Sequence, residues 1–233
     1  MCGRFTASFE FREIKVRWNL QRDLLFAPRY NIAPTQKVPV IFMHDGANEV
    51  REMYWGMVPS WAKDKTMGSS MINTRAETLA EKSSSKRLLT TRRCLIPASG
   101  FYEWRKQRKR KAPVWIHLKT KQPFAFAGLW KVWRLPQEES FLESFTIITI
   151  AANDFVKPIH DRMPVILLAE DESGWLNAKL KDAEILSLLK PYPADLLTCH
   201  EVSSLVNSAS EDGPDCIAPM TVEAHRSNQL SLI

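Results

Sequence analysis

The chain begins MCGRF. A small second residue permits removal of the initiator methionine, and the mature chain then starts at Cys2 with a free amine and a thiol on adjacent carbons. An N-terminal amine titrates at roughly 7.7–8.0 and a free thiol near about 8.5, so both reactive forms exist around neutral pH. The amine condenses with an aldehyde to a Schiff base, and the thiolate closes on the imine carbon as a five-membered thiazolidine. No internal cysteine can do this, because its nitrogen is an amide. The plain alternative is that position 2 merely tolerates cysteine. Two neighbours argue for chemistry. Gly3 lets another backbone approach the terminus. Arg4 brings a cation, expected to lower the thiol pKa and attract an anionic substrate. An aldehyde carried between phosphates, such as a ring-opened deoxyribose that has lost its base, suits such a site.

Other residues could assist. In SGFYEW (99–104), Glu103 shares a strand face with Phe101, and an aromatic face raises a carboxyl pKa toward acid–base use. In NDFVKPIHDRMPVIL (153–167), His160 sits in a polar break beside Asp161 and Arg162, where an imidazole can shuttle protons. MINTRAET (71–78) puts Asn73 and Arg75 two apart in an extended stretch, an amide to orient a reacting group and a guanidinium to hold phosphate. Trp61, in the loop WGMVPSWAKD, can stack on bases. Each has a bland counterpart: a solvent-facing Glu, a structural His, an N-cap with a surface Arg, a core Trp.

These residues need a scaffold. The 233-residue chain suits one large domain or two small ones, with ordinary hydrophobic (45%) and charged (25%) content. No run approaches a membrane span, and the polar start lacks a secretory h-region. Cys2, Cys94, Cys199 and Cys216 form no CxxC pair, which disfavours a disulfide scaffold or zinc site and fits a reducing, intracellular and cytoplasmic setting. Cys199 and His200 are expected on opposite faces of a strand. The net charge of +6 divides sharply, with +14 in residues 1–121 and −8 in 122–233. A polyanion partner met by the first half, or pairing of the halves within the fold, accounts equally for this.

The pattern predicts a helix over 8–18, a hairpin of strands 38–43 and 49–58, a loop at 59–70 and a helix over 76–90. Strands follow at 93–99, 101–104, 114–119, 124–133, 145–151 and 163–169, then helices 170–177 and 182–190 and a last strand 196–203. RKQRKRKAP (105–113) reads as a basic hairpin loop, and the chain from about 208 as loosely ordered. No βαβ rhythm or phosphate-binding glycine loop is present. The fold class expected is α+β, one antiparallel, β-rich domain with interspersed helices over residues 1–233.

MCGRF, YNIAPTQ, WGMVPSWAKD, INTRAET, RCLIPASGFYEW and IHDRMPVIL occur in this order. Together they resemble the SOS-response-associated peptidase (SRAP) family over residues 2 to about 217. The resemblance implies a mixed fold rich in antiparallel strands with a basic channel for single-stranded DNA containing abasic sites; a monomer with no cofactor and no metal is expected. It implies a covalent crosslink through Cys2, with Asn73 orienting, Glu103 as acid–base carboxylate and His160 assisting ring opening and crosslink reversal. Arg4, Arg75 and Arg162 match positions expected to meet phosphates or sugar. Asn31 and Pro34 match a loop beside the site, Trp61 a base-contacting position, and Thr149 a weaker match. The segment EVSSLVNSASEDGPDCI (201–217) departs, having no basic residue in SASED, which puts a DNA contact there in doubt. The family's name keeps a second reading open, a thiol autopeptidase using Cys2, Glu103 and His160. A non-enzymatic single-strand-binding module is the third.

Overall fold

The computed structural model describes residues 2–81, 83–107, 110–134 and 141–220. The elements, in chain order, are β1 (Phe5–Ala7), α1 (Phe11–Arg17), β2 (Arg29–Ile32), β3 (Lys37–His44), β4 (Ala47–Trp55), β5 (Asn73–Arg75), α2 (Ser83–Thr91), β6 (Arg93–Ala98), β7 (Gly100–Gln107), β8 (Arg110–Leu118), β9 (Phe124–Arg134), β10 (Phe141–Ala151), β11 (Arg162–Pro164), α3 (Glu172–Leu176), α4 (Asp182–Ser187) and β12 (Leu197–Glu201). The fold is mixed and strand-rich, as the pattern predicted, and no helix among the described residues is long and apolar enough to cross a membrane.

Two sheets form. One runs β12-β8-β7-β1-β2. In the other, β10, β4, β3, β6 and β9 pair in turn and β9 pairs back to β10, closing a small barrel-like ring. The ring is antiparallel except at β10, which runs parallel to β4 and to β5. Aromatic residues join the layers. Phe5 of β1 packs edge-on against Trp55 of β4 (5.0 Å between centroids) and Phe126 of β9 (5.7 Å), and Phe101 of β7 meets Phe126 at 6.2 Å. Burying such rings stabilises by roughly 1.5–3 kcal/mol each, and here it fixes the start of the chain against the ring.

Local chemistry explains the boundaries. Asp45 and Gly46 both have positive φ (47° and 82°), the turn that matches strand twist, so β3 and β4 form the expected hairpin. β4 stops at Trp55, three residues before the expected end, because Gly56 turns with φ 132° and its backbone lies against Gly68; a Cβ there would sit 2.7 Å from the Gly68 oxygen. The helix expected over 76–90 is broken. A 3-10 turn covers Ala76–Thr78, and α2 begins only at Ser83, because serine favours helix starts over interiors. The strand expected over 163–169 shortens to β11. Pro164 removes a donor, and the chain then changes partner, with Val165 N–H donating to the Ile148 oxygen and Leu167 N–H to the Ala125 oxygen.

The described residues of 105–113 are strand, not loop. β7 runs to Gln107 and β8 starts at Arg110, placing Lys106 opposite Lys111. The charge is tolerated because Glu201 of β12 accepts from Gln107 (3.1 Å) and Arg110 (3.2 Å); Arg108 and Lys109 lie outside the described residues. Cys199 and His200 face Ile116 and Trp115 of β8, on opposite sheet faces. Residues 208–220, expected to be loose, are tied down. The Asp212 carboxylate accepts from the backbone N–H groups of Tyr30 (2.6 Å) and Asn31 (2.7 Å) and pairs with Arg29. Residues 221–233 of that expected tail lie outside the described residues.

Candidate functional site

Cys2 precedes β1, which runs antiparallel to β7 with Phe5 opposite Phe101; Tyr102 N–H donates to the Arg4 oxygen at 3.0 Å. Continuing that register sets Gly3 opposite Glu103 and brings the carboxyl beside Cys2. β5 reaches the same place from the ring. Asn73, opposite Ile147 of β10, donates its Nδ2 to the Cys2 carbonyl at 2.8 Å. The Asn73 Oδ1 is buried without a hydrogen-bond partner among the described residues. His160 follows the turn 154–159 and precedes β11, which pairs with the end of β10. Its charge interacts with that of Glu103. Chain start, β5, β7 and the turn before β11 thus bring Cys2, Asn73, Glu103 and His160 into one cluster.

The electrostatics differ from the expectation for Cys2. Burial, then the nearby Glu103 carboxylate, push the thiol far above its ordinary range. Arg4 does not lower it. Its guanidinium turns to Asn31 Oδ1 (2.7 Å) and the Val206 oxygen (2.7 Å), and its own burial lowers its pKa. Glu103 is buried, which raises its pKa, while His160 opposes the rise. His160 Nδ1 accepts from the Arg162 N–H at 3.0 Å and lies 2.8 Å from Asp161 Oδ1. One nitrogen cannot accept and donate at once. Unprotonated Nδ1 takes the Arg162 N–H, and protonated Nδ1 turns to Asp161, so the ring has a partner in either proton state.

A second cluster lies alongside. Thr149 is buried on β10, with Arg75 of β5 opposite it on one edge and β11 on the other. Arg162 donates to the Thr149 oxygen (2.7 Å) and holds Glu77 through two bonds (2.6 and 3.0 Å). Arg162 depresses the Glu77 pKa. Arg75 is exposed and has no ion pair among the described residues. Trp61 is 74% exposed. Pro34 lies in the turn after β2, half-buried beside Thr35, whose φ is 74°.

Asn31 and Arg4 bond to each other and to the chain at 206–211. Asn31 is fully buried, and its Nδ2 reaches the oxygens of Val206 (3.2 Å), Ser208 (2.9 Å) and Glu211 (2.6 Å). The pair clasps the C-terminal strap to β1 and β2. Sequence reasoning missed Glu77 and Asp212. Glu77 lies within INTRAET, two residues from Arg75, and its opposite charge was a usable signal. Asp212 belongs to the acidic run SASED, whose charge is the signal for a basic partner such as Arg29.

Comparison with known proteins follows the same outline. The chain is 46% identical over 222 residues to the abasic site processing protein YoqW of Bacillus subtilis, covering 93% of this chain and 99% of that one. It is 31% identical to the abasic site processing protein YedK of Escherichia coli (94% and 100% covered) and 32% identical to HMCES of Gallus gallus (85% and 68%). A crystal structure of a Bacteroides thetaiotaomicron protein superposes with a TM-score of 0.86 at 27% identity, covering 94% of this chain and all of that one. The family model described as SOS response associated peptidase matches residues 1–209. With that match over most of its length, the chain belongs to the SRAP family.

Proposed function

We propose that this protein captures the ring-opened aldehyde of an abasic site in single-stranded DNA as a thiazolidine on Cys2, once Met1 is removed. The observation that carries the reading is the convergence of Cys2, Asn73, Glu103 and His160 on the start of the chain. The names of the relatives support the lesion.

The Glu103 carboxyl, whose burial favours its protonated form, gives a proton to the sugar ring oxygen as the C1′–O4′ bond opens, and the C1′ hydroxyl gives up its proton to leave the aldehyde. The Cys2 amine adds to C1′, and the carbinolamine loses water to give an imine. The thiol then adds across C=N; the S–H proton passes to nitrogen, and the product carries one water less than the reactants. Asn73, bonded to the Cys2 carbonyl, holds the terminus toward the sugar, and its unpartnered Oδ1 can accept from the amine or a sugar hydroxyl. His160, with a partner in both proton states, relays protons. Arg75 and Arg162 meet the flanking phosphates, with Thr149 between them, and Trp61 meets a base.

The autopeptidase reading asks Cys2 to attack as a thiolate. Burial and the Glu103 charge disfavour that form, whereas amine-first capture needs no thiolate at the start. Cys2→Ser separates these readings. It keeps the amine but replaces the ring-closing atom, so abasic DNA should give an imine that borohydride traps and little adduct without it. A Cys2→Ser adduct as durable as the native one would overturn the thiazolidine. Equal binding of intact and abasic strands with no adduct from the native protein would support the binding-module reading instead.

A further inference from the structure

His117 of β8 and His200 of β12 take no part in the Cys2 site. The two strands pair so that His200 lies opposite Trp115 and His117 opposite Thr198. Side chains alternate along a strand, so Trp115, His117 and His200 share one sheet face and Cys199 takes the other. The three rings cluster there. His117 stacks on Trp115 at 4.1 Å between centroids, His200 meets Trp115 edge-on at 5.4 Å, and the two imidazoles stand 5.7 Å apart. Both line a cavity of about 440 Å³ between this face, the start of α1 and the chain at Ile217 and Pro219.

Each imidazole is fixed through one nitrogen and keeps the other. His117 Nδ1 lies 2.8 Å from the Leu118 oxygen, and His200 Nε2 lies 2.8 Å from the Ile217 oxygen. A carbonyl only accepts, so these two nitrogens carry the protons and donate. Lone pairs remain on His117 Nε2 and His200 Nδ1, and neither atom has a hydrogen-bond partner among the described residues. His117 is only 5% exposed, which keeps most water from taking that place. A ring whose N–H is held by a backbone carbonyl is the arrangement that metal-ligating histidines show. The separation fits as well. An ion about 2.0–2.1 Å from a ring nitrogen lies about 3.2 Å from that ring's centroid. Rings 5.7 Å apart can then share one ion at an N–metal–N angle of about 125°.

We propose that His117 Nε2 and His200 Nδ1 bind one divalent ion of the zinc or copper class, with water completing its shell. Imidazole nitrogen suits these metals, whereas magnesium and calcium take oxygen. No third histidine, cysteine or carboxylate completes a protein-only shell among the described residues, so open positions remain on the ion. Glu13 and Lys121, both lining the cavity, offset each other's charge there. The ion joins β8 to β12 and, through the His200 bond to Ile217, braces the strap that Asp212 anchors. The two ligands meet only through strand pairing, which is why their spacing in the sequence shows no metal motif.

The test uses the untagged full chain, stripped of metal, and zinc ions alone. Isothermal titration should show a site with a Kd in the micromolar range, present in the native chain and in Cys2→Ala, which lacks the rival aminothiol. His117→Gln and His200→Gln should each weaken it at least tenfold. A thermal melt without metal checks that both variants fold; added zinc should raise the melting temperature of the native chain and leave theirs unmoved. In the native chain, nitrogen NMR of the imidazoles should show zinc shifting His117 Nε2 and His200 Nδ1 while their other nitrogens stay protonated, a readout that needs no variant. A Kd weaker than millimolar, an affinity unchanged in either histidine variant, an ion lost only with Cys2→Ala, or shifts confined to other histidines would overturn the proposal.

Discussion

Asn31→Ala distinguishes a structural clasp from a DNA contact. The Asn31 side chain accepts from Arg4 and shares two N–H donors among three carbonyls of the strap 206–211. A hydrogen bond to a charged group is worth about 1.5–3 kcal/mol net and a neutral one about 1. Arg4 keeps its bond to Val206, which offsets part of the loss. The substitution should therefore cost about 3–4 kcal/mol, most of it from carbonyls left buried without donors. For a domain of this size that lowers the melting temperature by roughly 10 °C. Urea unfolding followed by tryptophan fluorescence measures the first quantity and a thermal melt the second. Binding of single-stranded DNA to the folded variant should stay within twofold of the native protein, because Asn31 has no exposed surface. A stability loss below about 1 kcal/mol, together with a tenfold loss of DNA affinity, would refute this reasoning and make Asn31 a DNA contact.

Three further outcomes follow from the same structure. Glu103 has a raised pKa in the fold, so its ionisation costs stability as pH climbs above the unfolded value of about 4.3; Glu103→Gln should raise the melting temperature at pH 7–8, with the gain vanishing below about pH 4, while crosslinking slows at least a hundredfold. A gain that persists at pH 4 would disconnect it from ionisation. Gly128→Ala would drive a Cβ into Ile96, 2.9 Å from the Thr146 oxygen and 3.1 Å from Cys94 Sγ; overpacking of this kind costs about 1–3 kcal/mol, readable by urea unfolding, and an unchanged midpoint would show that the ring yields there. Trp61→Ala removes an exposed ring, so stability should move by less than about 0.5 kcal/mol while single-strand affinity falls about tenfold, in line with stacking energies; a stability loss without an affinity change would make Trp61 structural.

The strand-rich class and most strands were legible because alternation and turn residues are local signals. Asp45-Gly46 marked its hairpin, and the apolar runs at 93–98 and 145–151 marked the buried strands. Long-range partners were not legible. The basic stretch 105–111 read as a loop because Glu201, which accepts from Gln107 and Arg110, lies some ninety residues away. The strap after residue 208 read as loose because its anchors, Asn31 and Arg29, lie near the other end of the chain. Cys2, Asn73, Glu103 and His160 each stood out by local setting, but only the packing of β1, β5 and β7 shows them together. The effect of Arg4 on the thiol was misjudged because adjacency in sequence says nothing about which way a long side chain turns.

The central claim is covalent capture at Cys2. Purified protein with Met1 removed, incubated with a single strand carrying one abasic site, should show by intact-mass spectrometry one new species at the sum of the two masses less one water. Cys2→Ala and an intact-base strand should show none. An adduct that survives Cys2→Ala, or no adduct from protein whose Met1 removal is confirmed, would contradict the account.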